Sequence, residues 1–244
     1  MSFAKWILCG GFILLVATAT ASTDASNKVL HVYGPGGPHQ VLQECADRFL
    51  EKGGVDVAVI KALPYDLERK LPENGDIYYG GAEYMLEEFN LQNPGVLDLS
   101  TAEKLHARRI GIIVRKGNPL NISGTEALSR QEVDLLDVKL ERMRRFYADS
   151  SGGLDNVNRL EYTGRQGLSA WISSPELDAW VTYKSWYALI SEDADFIEIP
   201  GREALRYTPV VLTNRTTYKK EAVAFINFLK SDEARLIFAK HGWE

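Results

Sequence analysis

Cysteine is almost missing from the 244-residue chain, which has only Cys9 and Cys45. So low a count excludes a small scaffold held together by several disulfides. Cys45 falls at helical spacing among apolar residues, where a free thiol usually acts as a small buried hydrophobic group. We therefore expect Cys45 to pack in a core rather than to serve as a nucleophile.

A surplus of basic residues is also missing, since the formal net charge is −5. Nucleic-acid binding needs a basic footprint, so this class is disfavoured, although a few local charges can still attract a small anion. The four histidines form no H-x-x-x-H pair, and no G-x-S-x-G, H-E-x-x-H or Cys–His motif occurs. The sequence thus predicts no metal site, no cofactor and no enzyme activity.

Long apolar runs are missing except at the N-terminus. Lys5 precedes an apolar or small stretch over residues 6–20, and Ala19-Thr20-Ala21 completes a cleavage pattern. These features are typical of a secretory signal peptide, and the run is short for a membrane span, although an uncleaved anchor is the alternative. We expect residues 1–21 to be removed after Ala21, and the mature chain to reach the periplasm without a membrane-spanning segment.

The rest of the sequence alternates between strand and helix patterns. Helices are expected after two glycine-rich turns and at the C-terminus. Ser174-Pro175 resembles a helix start, but the segment to Asp178 is too short for more than one turn. Such alternation predicts an α/β fold with largely parallel sheets. The predicted strands are 29–33, 55–60, 76–79, 110–114, 135–138, 179–183, 196–199 and 210–213.

Two strand–glycine–helix junctions carry the strongest functional signal. The first reads YGPGGPH over residues 33–39, and the second reads DIYYGGAEYML over residues 76–86. Neither has the spacing of a dinucleotide fingerprint or a P-loop, and the first alone fits a plain structural turn equally well. Two such loops at the carboxyl ends of strands could converge on one anion, which helix N-termini and close backbone approach would favour.

Five segments that follow one another along the chain carry a family resemblance. They are VYGPGGPHQVLQECADRFLEKGGVDV, GDIYYGGAEYML, RRIGIIVRKGNPLNISG, DAWVTYKSWYALI and AVAFINFLKSDEARLIFAKHGW. Together the chain resembles solute-binding proteins of the accessory colonization factor AcfC type, relatives of the molybdate and sulfate type of periplasmic binding protein. The resemblance implies a type II periplasmic binding protein fold, with two α/β lobes joined by two hinge crossings. It assigns residues 22–110 and 208–244 to lobe 1 and residues 111–207 to lobe 2, with crossings near Gly111 and Thr208.

The function implied is capture of a small anionic solute, an oxyanion, carboxylate or phosphate ester, for an ABC importer. A ligand-sensing or adhesion role on the same fold is the alternative. The partners expected are therefore the ligand and an ABC permease, while a homodimer is left open. The resemblance implies no catalysis.

The resemblance also implies a set of ligand-binding residues. The planar guanidinium of an arginine suits a carboxylate or a phosphate. The arginine implied is Arg108, and the adjacent Arg109 is the alternative. Relatives usually place a serine in the second loop and a further glycine-rich loop in lobe 2, and both are missing here. Ser150–Gly153 is a candidate substitute for the lost loop. The implied residues are Gly34, Pro35, Gly36, Gly37, His39, Gly80, Gly81, Ala82, Arg108, Thr163 and Arg165.

Two further groups of side chains have both a structural and a functional interpretation. Arg142, Arg144 and Arg145 fit a solvated surface better than a replacement anion clamp. Three aromatic residues, Trp180, Tyr183 and Trp186, fit either a core or a cleft wall.

Overall fold

The computed structural model describes residues 28–148 and 155–244. The predicted signal peptide and Ser150–Gly153 lie outside these residues. The strands are β1 (Val29–Gly34), β2 (Asp56–Lys61), β3 (Ile77–Tyr79), β4 (Glu103–Arg115), β5 (Leu135–Val138), β6 (Val157–Glu161), β7 (Ala179–Tyr183), β8 (Ala194–Glu198) and β9 (Leu205–Leu212). The helices are α1 (Gly36–Glu51), α2 (Pro64–Asn74), α3 (Glu83–Gln92), α4 (Gly164–Ser173), α5 (Lys184–Tyr187), α6 (Lys219–Leu229) and α7 (Asp232–Lys240).

The strands form two parallel groups joined by a pair of antiparallel strands. β1 pairs in parallel with β2 and β3, and β5 pairs in parallel with β6 and β7. Between these groups, β4 and β9 run antiparallel to their neighbours. The prediction of largely parallel sheets was therefore wrong, because four of the eight pairings between described strands are antiparallel. The physical reason is connectivity, since a chain that leaves one group and later returns must run in both directions.

The long strand β4 belongs to both groups in turn. Its residues up to and including Arg109 pair with β9, and its residues from Ile110 onward pair with β7 and β8. Hydrophobic residues between 110 and 204 form one core, which includes Trp171 and Trp180. Residues 30–105 together with 210–243 form the other cores. We call the part of the chain around the cores of residues 30–105 and 210–243 the first lobe. The part around the core of residues 110–204 is the second lobe.

Several local predictions can be compared with the described elements. Cys45 is buried in the first-lobe core, as predicted, and burial raises the pKa of its thiol to about 12. At Ser174-Pro175 the chain makes a single turn, in which the Leu177 N–H donates to the Ser174 carbonyl oxygen at 3.2 Å, and Ser174 also ends α4. Helix α2 was not predicted, although Pro64 at its first position is a usual start signal.

Within residues 28–148 and 155–244, every helix is too short or too polar to cross a bilayer.

Candidate functional site

The two lobes enclose a cavity of about 350 Å³. This volume falls in the range of small-molecule sites, about 300–1,000 Å³. The first lobe contributes the starts of α1 and α2, Gly81 and part of α3, while the second contributes residues 140–141, the start of α4, Tyr183 and Trp186. Arg108 on β4 lies between these two walls.

The first glycine junction forms part of the first-lobe wall. β1 ends at Gly34, Pro35 is extended, and α1 begins at Gly36 with Pro38 in its first turn. The first N–H groups of a helix have no intrahelical partner, and they lie at the positive end of its dipole. No acidic side chain occupies the first turn of α1. Its N–H groups therefore offer an uncompensated positive end to the cavity.

Arg108 is the cationic side chain buried at the cavity. Only 3% of the residue is exposed, and its guanidinium carbon lies 3.7 Å from the Tyr183 ring centroid and 5.3 Å from that of Trp243. Nη2 donates a hydrogen bond to the Gly81 carbonyl oxygen, whereas Nε is buried with no hydrogen-bond partner among the described residues. A buried donor without a partner is costly, so Arg108 has unused capacity for an anion.

Arg109, the alternative to Arg108, faces another direction. Its Nε and Nη2 donate to the two carboxylate oxygens of Glu244 at 2.7 and 2.9 Å. Successive residues of a strand point to opposite faces, so only one of the two arginines can face the cavity. In this structure that residue is Arg108.

The second-lobe wall contains the start of another helix. Thr163 caps α4 with a capping box: its Oγ1 accepts a hydrogen bond from the Gln166 N–H, and its own backbone N–H donates to Gln166 Oε1. Gly164 and Arg165, whose backbone N–H groups come before that contact at the start of α4, line the cavity. The first turn of α4 also lacks acidic residues. Two helix N-termini, one from each lobe, thus face the same space.

The predicted site residues divide into two groups. Seven line the cavity: Pro35, Gly36, Gly37, Gly81, Arg108, Thr163 and Arg165. The other four do not line it, because Gly34 packs on Tyr79, Gly80 packs on Pro209, Ala82 is buried, and His39 lines a neighbouring cavity of about 90 Å³. Burial lowers the pKa of His39.

Glu141 is a cavity residue that was not predicted from the sequence. Its residue is 9% exposed, and its carboxylate accepts hydrogen bonds of 2.6 Å from Thr182 Oγ1 and from Trp186 Nε1. Burial raises its pKa to about 7, and the hydrogen bonds from Thr182 and Trp186, followed by the charge of Arg108, partly oppose that rise. The stretch VKLERMRRF gave no signal for this role, because the two donors follow 41 and 45 residues later.

A Glu141→Gln substitution is expected to change how stability depends on pH. The pKa of Glu141 in the folded protein, about 7, lies above its ordinary value of 4.5. The folded state then binds more protons between these values, so stability from this group is full below pH 4.5 and is lost as pH rises to 7. The free energy of unfolding of the variant minus that of the wild type should therefore increase by about 3 kcal/mol from pH 4.5 to pH 8.

Denaturant unfolding at several pH values measures this gain. Glu87→Gln is the matched control, because Glu87 is exposed on α3. A difference between wild type and Glu141→Gln that stays constant with pH would contradict the prediction.

The remaining arginines and aromatic residues can also be placed. Arg142 pairs with Glu88, Arg144 pairs with Asp137, and Arg145 is exposed beside Phe146. None of these three arginines lines the cavity. Tyr183 and Trp186 line it, whereas Trp180 is fully buried in the second-lobe core.

The lobes also touch beside the cavity. Tyr84 Oη on α3 donates to the Leu140 carbonyl oxygen at 3.0 Å, and Glu88 on the same helix pairs with Arg142. These contacts join α3 of the first lobe to residues 140–142 of the second. Among the described residues, no group of three or more His, Cys, Asp or Glu side chains could hold a metal ion.

Solved structures with a similar fold include PEB3 and a molybdate-binding protein. PEB3 from Campylobacter jejuni has a TM-score of 0.70 and 24% identity, and the match covers 88% of this chain and 99% of that chain. A structure of PEB3 bound to L-phospholactate has a TM-score of 0.72, 23% identity and the same coverage. The periplasmic molybdate-binding protein of Azotobacter vinelandii has a TM-score of 0.68 and 14% identity, with 88% of this chain and 98% of that chain covered.

These likenesses confirm the predicted fold class, a type II periplasmic binding protein fold with two α/β lobes. No curated protein matches the sequence significantly. The model of the family described as bacterial extracellular solute-binding protein matches residues 30–244.

Proposed function

The chain belongs to the bacterial extracellular solute-binding proteins, and we propose that it captures a small anionic solute between its lobes and delivers it to an ABC importer. The solute is an oxyanion, a carboxylate or a phosphate ester. The observation that carries this proposal is Arg108, a buried cation at the cavity whose Nε lacks a hydrogen-bond partner among the described residues.

The surroundings of Arg108 favour an anion over a neutral solute. The helix starts at Gly36 and Gly164 add positive dipole ends from opposite lobes. Inside a protein the effective dielectric constant is lower than in water, so each charge–dipole contact at the buried Arg108 is stronger than it would be in water. Lys61 also lines the cavity. Similar folds have been solved as a phospholactate complex of PEB3 and as a molybdate-binding protein, which agrees with this class of solute.

The proposed lobes are residues 22–110 with 208–244, and residues 111–207. The separate hydrophobic cores support this division, and so does the change of β4 partners between Arg109 and Ile110. Closure of the lobes about β4 and β9 would bring Gly36 and Gly164 onto the solute. The proposed location is the periplasm, reached through the signal peptide of residues 1–21.

Isothermal titration calorimetry with a panel of anions tests the proposed function. The panel contains sulfate, molybdate, phosphate, small dicarboxylates and three-carbon phosphate esters, with glycerol as the neutral control. We expect at least one anion to bind with a Kd in the micromolar range or tighter and glycerol not to bind. Failure of every anion in the panel would refute the proposal.

A further inference from the structure

Glu141 is an unexpected group in a cavity suited to anions. An ionised carboxylate there would repel an anionic solute, and two like charges in a poorly solvated site cannot both stay ionised without a proton between them. The side chain is held in place by its hydrogen bonds from Thr182 and Trp186. No ion pair within 4.0 Å joins Glu141 to Arg108 or to any other described cation. The carboxylate is therefore not neutralised by a partner of its own.

The geometry leaves Glu141 with capacity for a further hydrogen bond on each carboxylate oxygen. A carboxylate has about four lone-pair sites, and the two known donors occupy one on each oxygen. Gly164 lies beside Oε1, so close that an added Cβ would be 2.5 Å from that oxygen. Glu141 thus shares the cavity wall with the helix start that would hold the anion.

Resting on the proposed function, we propose that Glu141 shares one proton with the bound anion and is a specificity residue. With an ionised Glu141, an anion such as hydrogen phosphate donates its own O–H to the carboxylate. With a fully ionised anion such as sulfate, the proton must come from solvent and reside on Glu141, whose O–H then donates to the anion. The site therefore favours hydrogen phosphate or a protonated phosphonate over a sulfate or sulfonate of the same shape, most strongly at alkaline pH.

The other titratable groups near Glu141 determine whether another side chain could supply the proton that Glu141 shares with the anion. Burial raises the pKa of both Tyr84 and Tyr183, so these phenols stay neutral over the range tested. Asp137 is paired with Arg144 at 2.6 Å. His39 lies in the adjoining cavity, and burial lowers its pKa from the ordinary value of 6.5, so it stays neutral over the range tested. The charged or titratable groups that face Glu141 or its cavity are Arg108, Lys61, Asp66, Tyr84, Asp137, Arg165 and Tyr183.

The test compares two matched pairs of probes: phosphate with sulfate, and phosphonoacetate with sulfoacetate. Calorimetry is run on the full mature protein between pH 7 and pH 9. For the wild type, the Kd of sulfate or sulfoacetate should rise about tenfold per pH unit, as expected for uptake of one proton. The Kd of phosphate or phosphonoacetate should stay within about threefold, because the anion brings its own proton.

The Glu141→Gln variant should lose this pH dependence, because an amide has no proton to exchange. Its ratio of phosphate to sulfate affinity should be constant with pH and lower than that of the wild type at pH 9. Glu87→Gln on the surface of α3 is the matched control and should retain the wild-type slopes. His39→Asn should retain them as well.

Three results would overturn the inference. These are equal slopes for wild type and Glu141→Gln, loss of the slope in His39→Asn instead, and failure of all four probes to bind the wild type. In each case, binding of a carboxylate from the wider panel would leave the proposed function standing.

Discussion

Replacing Arg108 with alanine is expected to weaken anion binding by two to three orders of magnitude. Only 3% of the residue is exposed, Arg108 lines the cavity, and its Nε is a buried donor without a hydrogen-bond partner among the described residues. Charge-assisted hydrogen bonds are about twice as strong as neutral ones, and loss of one partner from a buried charge pair costs about 3–5 kcal/mol. A loss of that size corresponds to a Kd ratio of at least about one hundred.

Arg108→Lys separates charge from geometry. A lysine keeps the positive charge but lacks the planar fork that binds two oxygens and stacks on a ring. Because the guanidinium lies 3.7 Å from the Tyr183 ring centroid, the lysine variant should lose both the stacking and the bidentate contact. We expect an affinity between those of the wild type and Arg108→Ala.

Two alanine variants serve as controls for calorimetry with the tightest-binding anion of the panel. Arg109→Ala removes a cation that pairs with Glu244, and Arg145→Ala removes an exposed cation. Both should bind within about threefold of the wild type, since neither side chain lines the cavity. Circular dichroism and thermal unfolding verify that each variant is folded. Equal affinities for folded Arg108→Ala and Arg145→Ala would remove Arg108 from the site.

The choice between Arg108 and Arg109 shows where sequence reasoning reached its limit. A strand places adjacent side chains on opposite faces, so the pair Arg108-Arg109 had to divide between a cavity and a surface. Which face is which depends on the pairing of β4 with β9 and on the C-terminal residues Trp243 and Glu244. At these two arginines the contacts join residues 96 to 135 positions apart, and local periodicity carries no information about them.

The first lobe was more predictable than the second for a related reason. The β1–α1 junction is encoded locally, by an apolar strand, a glycine-rich turn, and a proline in the first turn of a helix. Glu141, in contrast, is defined by Thr182 and Trp186, which lie on later elements. The residues around it read as an ordinary basic and apolar stretch, so no sequence motif marks this side of the cavity.

Replacing Gly34 with alanine is expected to lower stability strongly, whereas the same change at Gly36 is not. A Cβ added at Gly34 would lie 2.1 Å from the backbone carbonyl oxygen of Tyr79 on the neighbouring strand β3. A backbone atom inside a sheet cannot move aside cheaply, so the cost should reach about 3 kcal/mol, the upper part of the range for overpacking. For a chain of this size that loss corresponds to a melting temperature about 6–12 °C lower.

Gly36→Ala is the matched control, two residues further along the same loop. A Cβ added at Gly36 would meet no described heavy atom within 4 Å, and alanine is the better residue at the start of α1. Its melting temperature should equal or slightly exceed that of the wild type in scanning calorimetry without added anion. Equal melting temperatures for the two variants would contradict the assignment of Gly34 to close strand packing.

Gly37→Ala completes the series and links the loop to binding. A Cβ at Gly37 would lie 3.1 Å from Nη1 of Arg108, the flexible end of a side chain rather than a backbone atom. The protein should therefore fold with nearly wild-type stability but hold Arg108 displaced by a few tenths of an ångström. We expect a loss of about tenfold in anion affinity, since misplacing one charge-assisted hydrogen bond costs about 1.5 kcal/mol. Three glycines in four residues would then serve three separate purposes: Gly34 for strand packing, Gly36 for an open helix start, and Gly37 for the approach of Arg108.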